Sequence, residues 1–404
     1  MLALYSMMLI VAWQAYNLAR ETMSVEASSV RLGLIGLLQF IPLFLLTPLV
    51  GWVADNLDRR HIVRVILVMQ CIIASLLAYQ TAAGELTLVQ MYFIAVLLGI
   101  TRAFLGPATA ALSANLIPKA SIPTAIALST IAWQAGMLVG PAMAGPLYSV
   151  DQALPYTISA TLFGLSALAF FFITPVPRSK IDRSRGPIAQ ISDGMRYVWG
   201  NRLVLGVISL DLFAVLLAGA TALIPVFARD ILEAGEFGLS MLAASPAAGA
   251  IIVAVIFSFR PIKSNVGNKM LWAVYVFGIA TILFGFSTWL PLSMLCLVII
   301  GAADMFSVYV RGSLIQLHTP DDKRGRVSAV SQLTISASNE LGEAESGFLA
   351  GLVGPVIAVV AGGAGAILVT AAWARLFPEI GTAKTFDPPD NLQTESELQA
   401  KAQN

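Results

Sequence analysis

The stretch ASNELGEAESG, residues 337–347, sets Glu340, Glu343 and Glu345 inside a run of valines, leucines and small residues from Val327 to Gly351. An ionisable side chain at the centre of a membrane helix costs about 2.5–3.5 kcal/mol on insertion scales, so it faces protein or water rather than lipid. At about 100° per residue, Ser336, Glu340, Glu343 and Gly347 share one helix face, and Glu345 points about 140° away from Glu340. Two buried carboxylates one turn apart repel each other, which equips one of them to hold a proton and release it when its surroundings become wet. The alternative for the same pair is fixed hydrogen-bonding glue to helices two, five or eight.

Four more ionisable residues stand inside apolar runs: Arg102, Asp211, Asp304 and Arg311. By depth at about 1.5 Å per residue, Arg102, Asp211 and Asp304 fall in the cytoplasmic half and Arg311 near a helix end. Asp211 and Asp304 join Glu340 and Glu343 as candidates for proton coupling. Arg102 and Asp211 are candidates for binding substrate. Arg311 reads as a snorkelling residue or a gate latch. In WQAYN, Gln14 and Asn17 are uncharged groups able to hydrogen-bond a substrate, while Tyr16 reads as an interface anchor. Phe213 and Phe306 read as packing or as an apolar wall.

Other chemistry is missing. His61 and His318 are isolated in loops and read as solvated, so neither metal nor any other cofactor is expected. There is no Ser/His/Asp set or phosphate loop, so an enzyme is not expected. Cys71 and Cys296 lie in apolar runs and read as buried thiols. A net charge of +1, without a basic stripe, gives no reason to expect nucleic acid.

These residues need a scaffold, and composition supplies its class. Hydrophobic residues make up 57% of the 404 and charged residues 12%, against roughly a quarter charged in soluble domains. Apolar runs long enough to cross a bilayer as helices recur along the chain. The reading is an all-α polytopic membrane protein of twelve helices: 2–19, 32–53, 62–83, 88–112, 124–148, 155–175, 203–228, 237–259, 270–288, 291–314, 327–351 and 355–377. The first begins without a charged n-region or cleavage site and reads as a retained helix rather than a signal peptide. The chain divides into a six-helix bundle over 1–175, a cytoplasmic linker over 176–202, a second bundle over 203–378 and a disordered tail over 379–404. Of 24 Lys and Arg residues, only Arg20, Arg31 and Arg229 fall on the sparsely charged side, and Arg102 and Arg311 lie within helices. The positive-inside rule then predicts both termini in the cytoplasm.

The halves repeat. A shift of 202 residues lays Gly99 on Gly301, Pro118 on Pro320, Gly140 on Gly342 and Gly145 on Gly347, with Arg102 on Asp304 and Pro141 on Glu343. Such parallel repeats place a binding site between halves, near the midplane. The loop after helix two, GWVADNLDRR, resembles the G-x-x-x-D-(R/K)-x-G-(R/K)-(R/K) loop of the major facilitator superfamily through Gly51, Asp55, Arg59 and Arg60. Asn56 and Asp58 depart from it. RAFLG at Arg102–Gly106 resembles that superfamily's intramembrane arginine motif. GMLVGPAMAG at Gly136–Gly145 is similar to its antiporter motif, with Ala144 in place of a glycine. The segments 209–232, 319–347 and 373–380 resemble the branch that holds enterobactin exporters and transmembrane secretion effectors.

The resemblance implies two pseudo-symmetric six-helix bundles, with helices 1, 4, 7 and 10 lining a cavity in which Asp211 and Asp304 face each other and Arg102 pairs with either. It also implies exchange of a small molecule for protons. Gly51, Asp55, Arg59 and Arg60, with Arg324 and Arg326, form the expected cytoplasmic gate, Asp55 facing the positive N-terminus of helix eleven. Gly136, Gly140, Pro141 and Gly145 form the expected helix-five hinge. The expectation is a secondary active exporter of a siderophore or drug-like compound, monomeric, in a bacterial inner membrane. An uptake carrier of the same fold is the alternative, and a non-transporting scaffold or receptor is the alternative of another class.

Overall fold

The computed structural model describes residues 1–116, 122–173 and 187–387, apart from a few side chains within those ranges. The N-terminal half holds α1 (Leu2–Arg20), α2 (Val25–Asn56), α3 (Arg59–Ala83), α4 (Leu88–Leu116), α5 (Ile122–Val150) and α6 (Leu154–Phe171). After α7 (Pro187–Gly200), the C-terminal half holds α8 (Arg202–Leu217), a short α9 (Ile224–Val226), α10 (Gly235–Phe259), α11 (Val266–Phe286), α12 (Leu290–Leu317), α13 (Asp321–Val353), α14 (Pro355–Leu376) and α15 (Pro378–Thr382). Among the described residues, ten spans are long and apolar enough to cross a membrane, α8 and α9 falling within a single span. With 29 and 33 residues, α5 and α13 match them in length and complete the expected twelve.

Local chemistry sets several helix ends. Ser24 caps α2 by accepting from the Ala27 amide, Asp58 caps α3 through the Arg60 amide at 3.0 Å, and Asn201 caps α8 through the Val204 amide at 3.1 Å. Gly84, at φ +68°, ends α3 in the left-handed conformation that glycine adopts without strain.

The two bundles meet along two seams, α2 against α13 and α5 against α10, while α4 and α12 pack chiefly within their own bundle. The duplication shows in these contacts. Gly347 lies against Gly33 on α2, and Gly145 lies against the Glu236 carbonyl on α10. The pair Gly99 and Gly301 does the same inside each bundle, seating α4 on the Gln39 carbonyl and α12 on the Pro246 carbonyl. Only a residue without a side chain lets two helix backbones approach this closely.

Two segments differ from expectation. The seventh span is not one helix over 203–228: α8 stops at Leu217, a 3₁₀ turn follows over Ala220–Leu223, then α9, then a π turn over Phe227–Ile231. Pro225 has no amide to donate, and at Gly219 an added Cβ would meet the Gly342 carbonyl of α13 at 2.7 Å. The tail is ordered at its start. The Gly267 amide donates to the Ala383 carbonyl at 3.1 Å, and Arg202 Nε donates to Glu379 Oε1 at 2.6 Å, so this segment docks on α8 and α11. The residues after 387 lie outside those described.

Candidate functional site

At the α2–α13 seam, α4 carries Arg102 to the Glu340 carboxylate, with Nη2 to Oε1 at 2.7 Å. Arg102 Nη1 also donates to Gln39 Oε1 on α2 at 3.1 Å. The ion pair therefore joins the two bundles inside the membrane. Glu340 is 5% exposed at its side chain and Arg102 24%, so the acid is sealed and the guanidinium remains reachable. The second oxygen, Glu340 Oε2, is buried with no hydrogen-bond partner among the described residues. A buried acceptor left unsatisfied costs about 1–3 kcal/mol, and binding a proton there converts it to a donor. Glu343, one turn on, packs over Gly36 of α2, where any Cβ would meet the Glu343 Cβ at 3.1 Å. Three residues on from Glu340, it shares that face of α13. Glu345 faces elsewhere, as the helical period requires; its Oε2 is also buried with no hydrogen-bond partner among the described residues.

The expected pairing of Arg102 with an aspartate is therefore corrected. Asp211 of α8 pairs with Arg311 of α12, both inside the C-terminal bundle, with side chains 8% and 4% exposed. Arg311 neither snorkels nor latches a gate, because the carboxylate it compensates is itself buried one helix away. Asp304, seven residues from Arg311 on α12, has no ion-pair or hydrogen-bond partner among the described residues. Phe213 and Phe306 pack within their bundle, Phe213 on Trp373 at 5.2 Å and Phe306 on Phe257 at 5.1 Å between ring centroids.

Gln14 does not face a cavity. It is 6% exposed, donates to Thr81 Oγ1 at 3.3 Å and accepts from the Tyr156 hydroxyl at 2.7 Å, all inside the N-terminal bundle. Asn17 belongs instead to a clasp between bundles at the end opposite the basic loops. There Arg229 Nη1 donates to Asn17 Oδ1 at 2.5 Å, the Tyr16 hydroxyl donates to Asp230 Oδ2 at 2.6 Å, and Arg20 pairs with Asp230 Oδ1 at 2.9 Å. Tyr16 is fully buried, not an interface anchor. The π turn that follows α9 presents Arg229 and Asp230 to α1, so the broken seventh span is what builds the clasp. Sequence reasoning missed Asp230 and Gln39. Opposite charges on the side with few charges, Arg20 and Asp230, were the available signal.

At the basic end, Gly51 and Asp55 lie in the last two turns of α2, and their side-chain surroundings are outside what is described. Arg60 pairs with Asp58 of its own turn and donates to the Ile173 carbonyl at 3.1 Å. That guanidinium holds the Asp58 carboxyl well below the usual carboxylate range, at about 2. Arg326 pairs with Asp193 of α7, the linker helix that packs on α13, at 3.3 Å, and Arg324 donates to the Gln316 carbonyl at 3.0 Å. Arg59 is partnered as well. Thus Arg60 and Arg326 are held by neighbours on their own side rather than across the bundles. His318, expected to be solvated, is partly buried, with Nδ1 3.1 Å from the Leu314 carbonyl. Among the described residues, no group of three His, Cys, Asp or Glu could hold a metal ion.

Helix α5 runs unbroken through Pro141. Gly136 and Gly140 seat it on Met1 and the first turn of α1 as far as Ser6, and the Gly145 amide donates to Ser240 Oγ of α10 at 2.6 Å. The motif thus contacts both bundles.

The family model described as Major Facilitator Superfamily matches residues 2–342. The chain is 26% identical over 353 residues to the multidrug efflux pump Tap of Mycobacterium tuberculosis, covering 82% of this chain and 80% of that protein. It is 24% identical over 265 residues to the enterobactin exporter EntS of Shigella boydii, covering 65% and 63%. The fold is similar to the crystal structure of a D-xylose–proton symporter, with TM-score 0.74, 12% identity and coverage of 94% and 96%.

Proposed function

Because the chain belongs to the Major Facilitator Superfamily, we propose that this membrane transporter is a proton-coupled exporter of a small organic molecule, a siderophore or drug-like compound, working by alternating access. The observation that carries the reading is the Arg102–Glu340 pair spanning the two bundles, with an unsatisfied Glu340 oxygen beside it. A proton on Glu340 removes the charge that holds Arg102, and a substrate group that engages the exposed guanidinium competes for the same contact. Two ligands that compete for one bridge cannot occupy it together, which produces exchange rather than cotransport. Glu343 provides a second carboxylate within reach of the first.

Orientation follows from charge: the basic loops and both termini lie in the cytoplasm of a bacterial inner membrane, and the carrier acts as a monomer. The Tyr16–Asp230–Arg20 clasp is then the outer gate, closed in this state. Opening it requires the basic end to close, with Gly51, Asp55, Arg59 and Arg324 as the gate and the Gly136–Gly145 segment as the hinge. The names of Tap and EntS support the export direction and a small organic cargo.

The test is transport in proteoliposomes under an imposed pH gradient, screening siderophores and cationic drugs. Substrate release coupled to proton entry is expected, and Glu340→Gln with Glu343→Gln should uncouple the two. Coupling that survives this double variant excludes these acids. Accumulation in the opposite direction under the same gradient marks an uptake carrier, and no movement of any compound favours a scaffold.

A further inference from the structure

A groove of about 580 Å³ runs along the outside of the N-terminal bundle, between α3 and α6, lined by Cys71, Ser75, Thr157, Thr161, Gly164 and Leu168 among others. Its lining comes from α3 and α6, not from the helices of the α2–α13 and α5–α10 seams. Its hydroxyls are already used. Ser75 donates to the Cys71 carbonyl at 2.8 Å, Thr157 to the Ala153 carbonyl at 3.0 Å and Thr161 to the Thr157 carbonyl at 2.9 Å. The walls therefore offer methyl groups and small residues, which suit an apolar chain and no polar ligand.

The groove leads to a cation. On α3, Arg64, Cys71, Ser75 and Ala78 succeed one another at three-, four- and seven-residue intervals and so form one stripe. Arg64 lies about 10 Å from Cys71 along the axis, toward the basic end. α6 runs antiparallel beside it and ends there. Arg64 Nε donates to the Phe170 carbonyl at 2.9 Å, Nη2 donates to the Phe171 carbonyl at 3.2 Å, and the guanidinium stacks 4.8 Å above the Phe171 ring. Carbonyls fix its position without neutralising it. Among the described residues no carboxylate pairs with Arg64, and the nearest acid along the chain, Asp58, is engaged by Arg60.

We infer that the α3–α6 groove binds a phospholipid with an anionic headgroup, one acyl chain lying along Cys71–Ala78 and Thr157–Leu168 and the phosphate at Arg64. The test is native mass spectrometry of the full chain, purified in mild detergent and titrated with phosphatidylglycerol or phosphatidylcholine. One basic side chain at a membrane surface contributes about 1 kcal/mol, so the wild type should prefer phosphatidylglycerol about fivefold. Arg64→Gln should bring the preference to unity while still binding lipid. Gly164→Leu, which fills the groove from the α6 wall, should lose the bound lipid. A readout on a Cys296→Ala background avoids dependence on variant folding: a lipid-soluble maleimide should alkylate Cys71 several-fold more slowly in phosphatidylglycerol than in phosphatidylcholine. Equal lipid preference in wild type and Arg64→Gln, or equal alkylation in the two lipids, overturns the inference. So does a dimer mass free of lipid, which would seat a second copy in the groove.

Discussion

Two arginine–carboxylate pairs lie inside the membrane and differ in what they join. Asp211–Arg311 ties α8 to α12 within one bundle, and both side chains are sealed from solvent. Arg102–Glu340 ties α4 to α13 across the seam, with its arginine partly exposed and one carboxylate oxygen unsatisfied. Alike in chemistry, they differ in whether either partner can be released. A pair enclosed in one rigid body has no second state, so it acts as a staple. A pair between two bodies gains a second state if the bundles separate, as the proposed alternating access requires, and that suits it to be a switch.

The sharpest break in that comparison is at the staple. Asp211→Asn leaves Arg311 buried and uncompensated and should cost about 3–5 kcal/mol, seen as a lowered thermal midpoint in detergent. The double variant Asp211→Asn, Arg311→Gln should recover most of the loss and keep transport; if it restores neither, the pair does more than hold the bundle. At the switch the signs exchange. Glu340→Gln should change the midpoint little and remove pH-gradient stimulation of transport, a loss of about 1–3 kcal/mol of coupling or roughly 5–150-fold. A pH gradient that still drives Glu340→Gln as it drives wild type would place coupling elsewhere.

The clasp gives a third, smaller effect. Asp230→Asn loses the Arg20 ion pair and weakens the Tyr16 contact. It should shift the balance toward opening at that end by about 1–2 kcal/mol, read as a longer spin-label distance between α1 and α10. Smallest is Asp58, a cap that joins nothing across the seam. Asp58→Ala should cost about 1 kcal/mol, discounted further because the side chain is 30% exposed. Its folded-state pKa, about 2, lies below the unfolded value near 3.9. The contribution is therefore complete above about pH 4 and disappears as pH falls toward 2, so wild type and variant midpoints should converge over that window.

Much of the fold was legible because membrane burial writes itself into local composition. Runs of about twenty apolar residues announce helices wherever they sit. The repeated glycines at 99, 145, 301 and 347 announced the close approaches that the bundles make. The break after Leu217 was only partly legible: Gly219 and Pro225 are local helix breakers, but the close approach of the Gly342 carbonyl to Gly219 comes from a helix more than a hundred residues away. The site was legible as a set of charges and not as a set of pairs. Arg102, Asp211, Arg311 and Glu340 each stood out as costly to bury, yet nothing local said which acid would meet which arginine. Gln14 looked like a cavity residue because its helix was expected to line one; which face of α1 meets Thr81 and Tyr156 depends on how α3 and α6 pack.

The sequence alone determined that twelve apolar helices form in two repeated sets, that acids and arginines sit at membrane depth, and that Glu340 and Glu343 share a helix face. Helical period and solvation cost are local quantities, readable one segment at a time. Only the tertiary structure decided that Arg102 meets Glu340 across the bundles, that Arg311 serves Asp211, and that Asp230 closes the far end on Tyr16 and Arg20. Partner choice between buried charges depends on which helices become neighbours and at what height, and that is set by packing over the whole molecule.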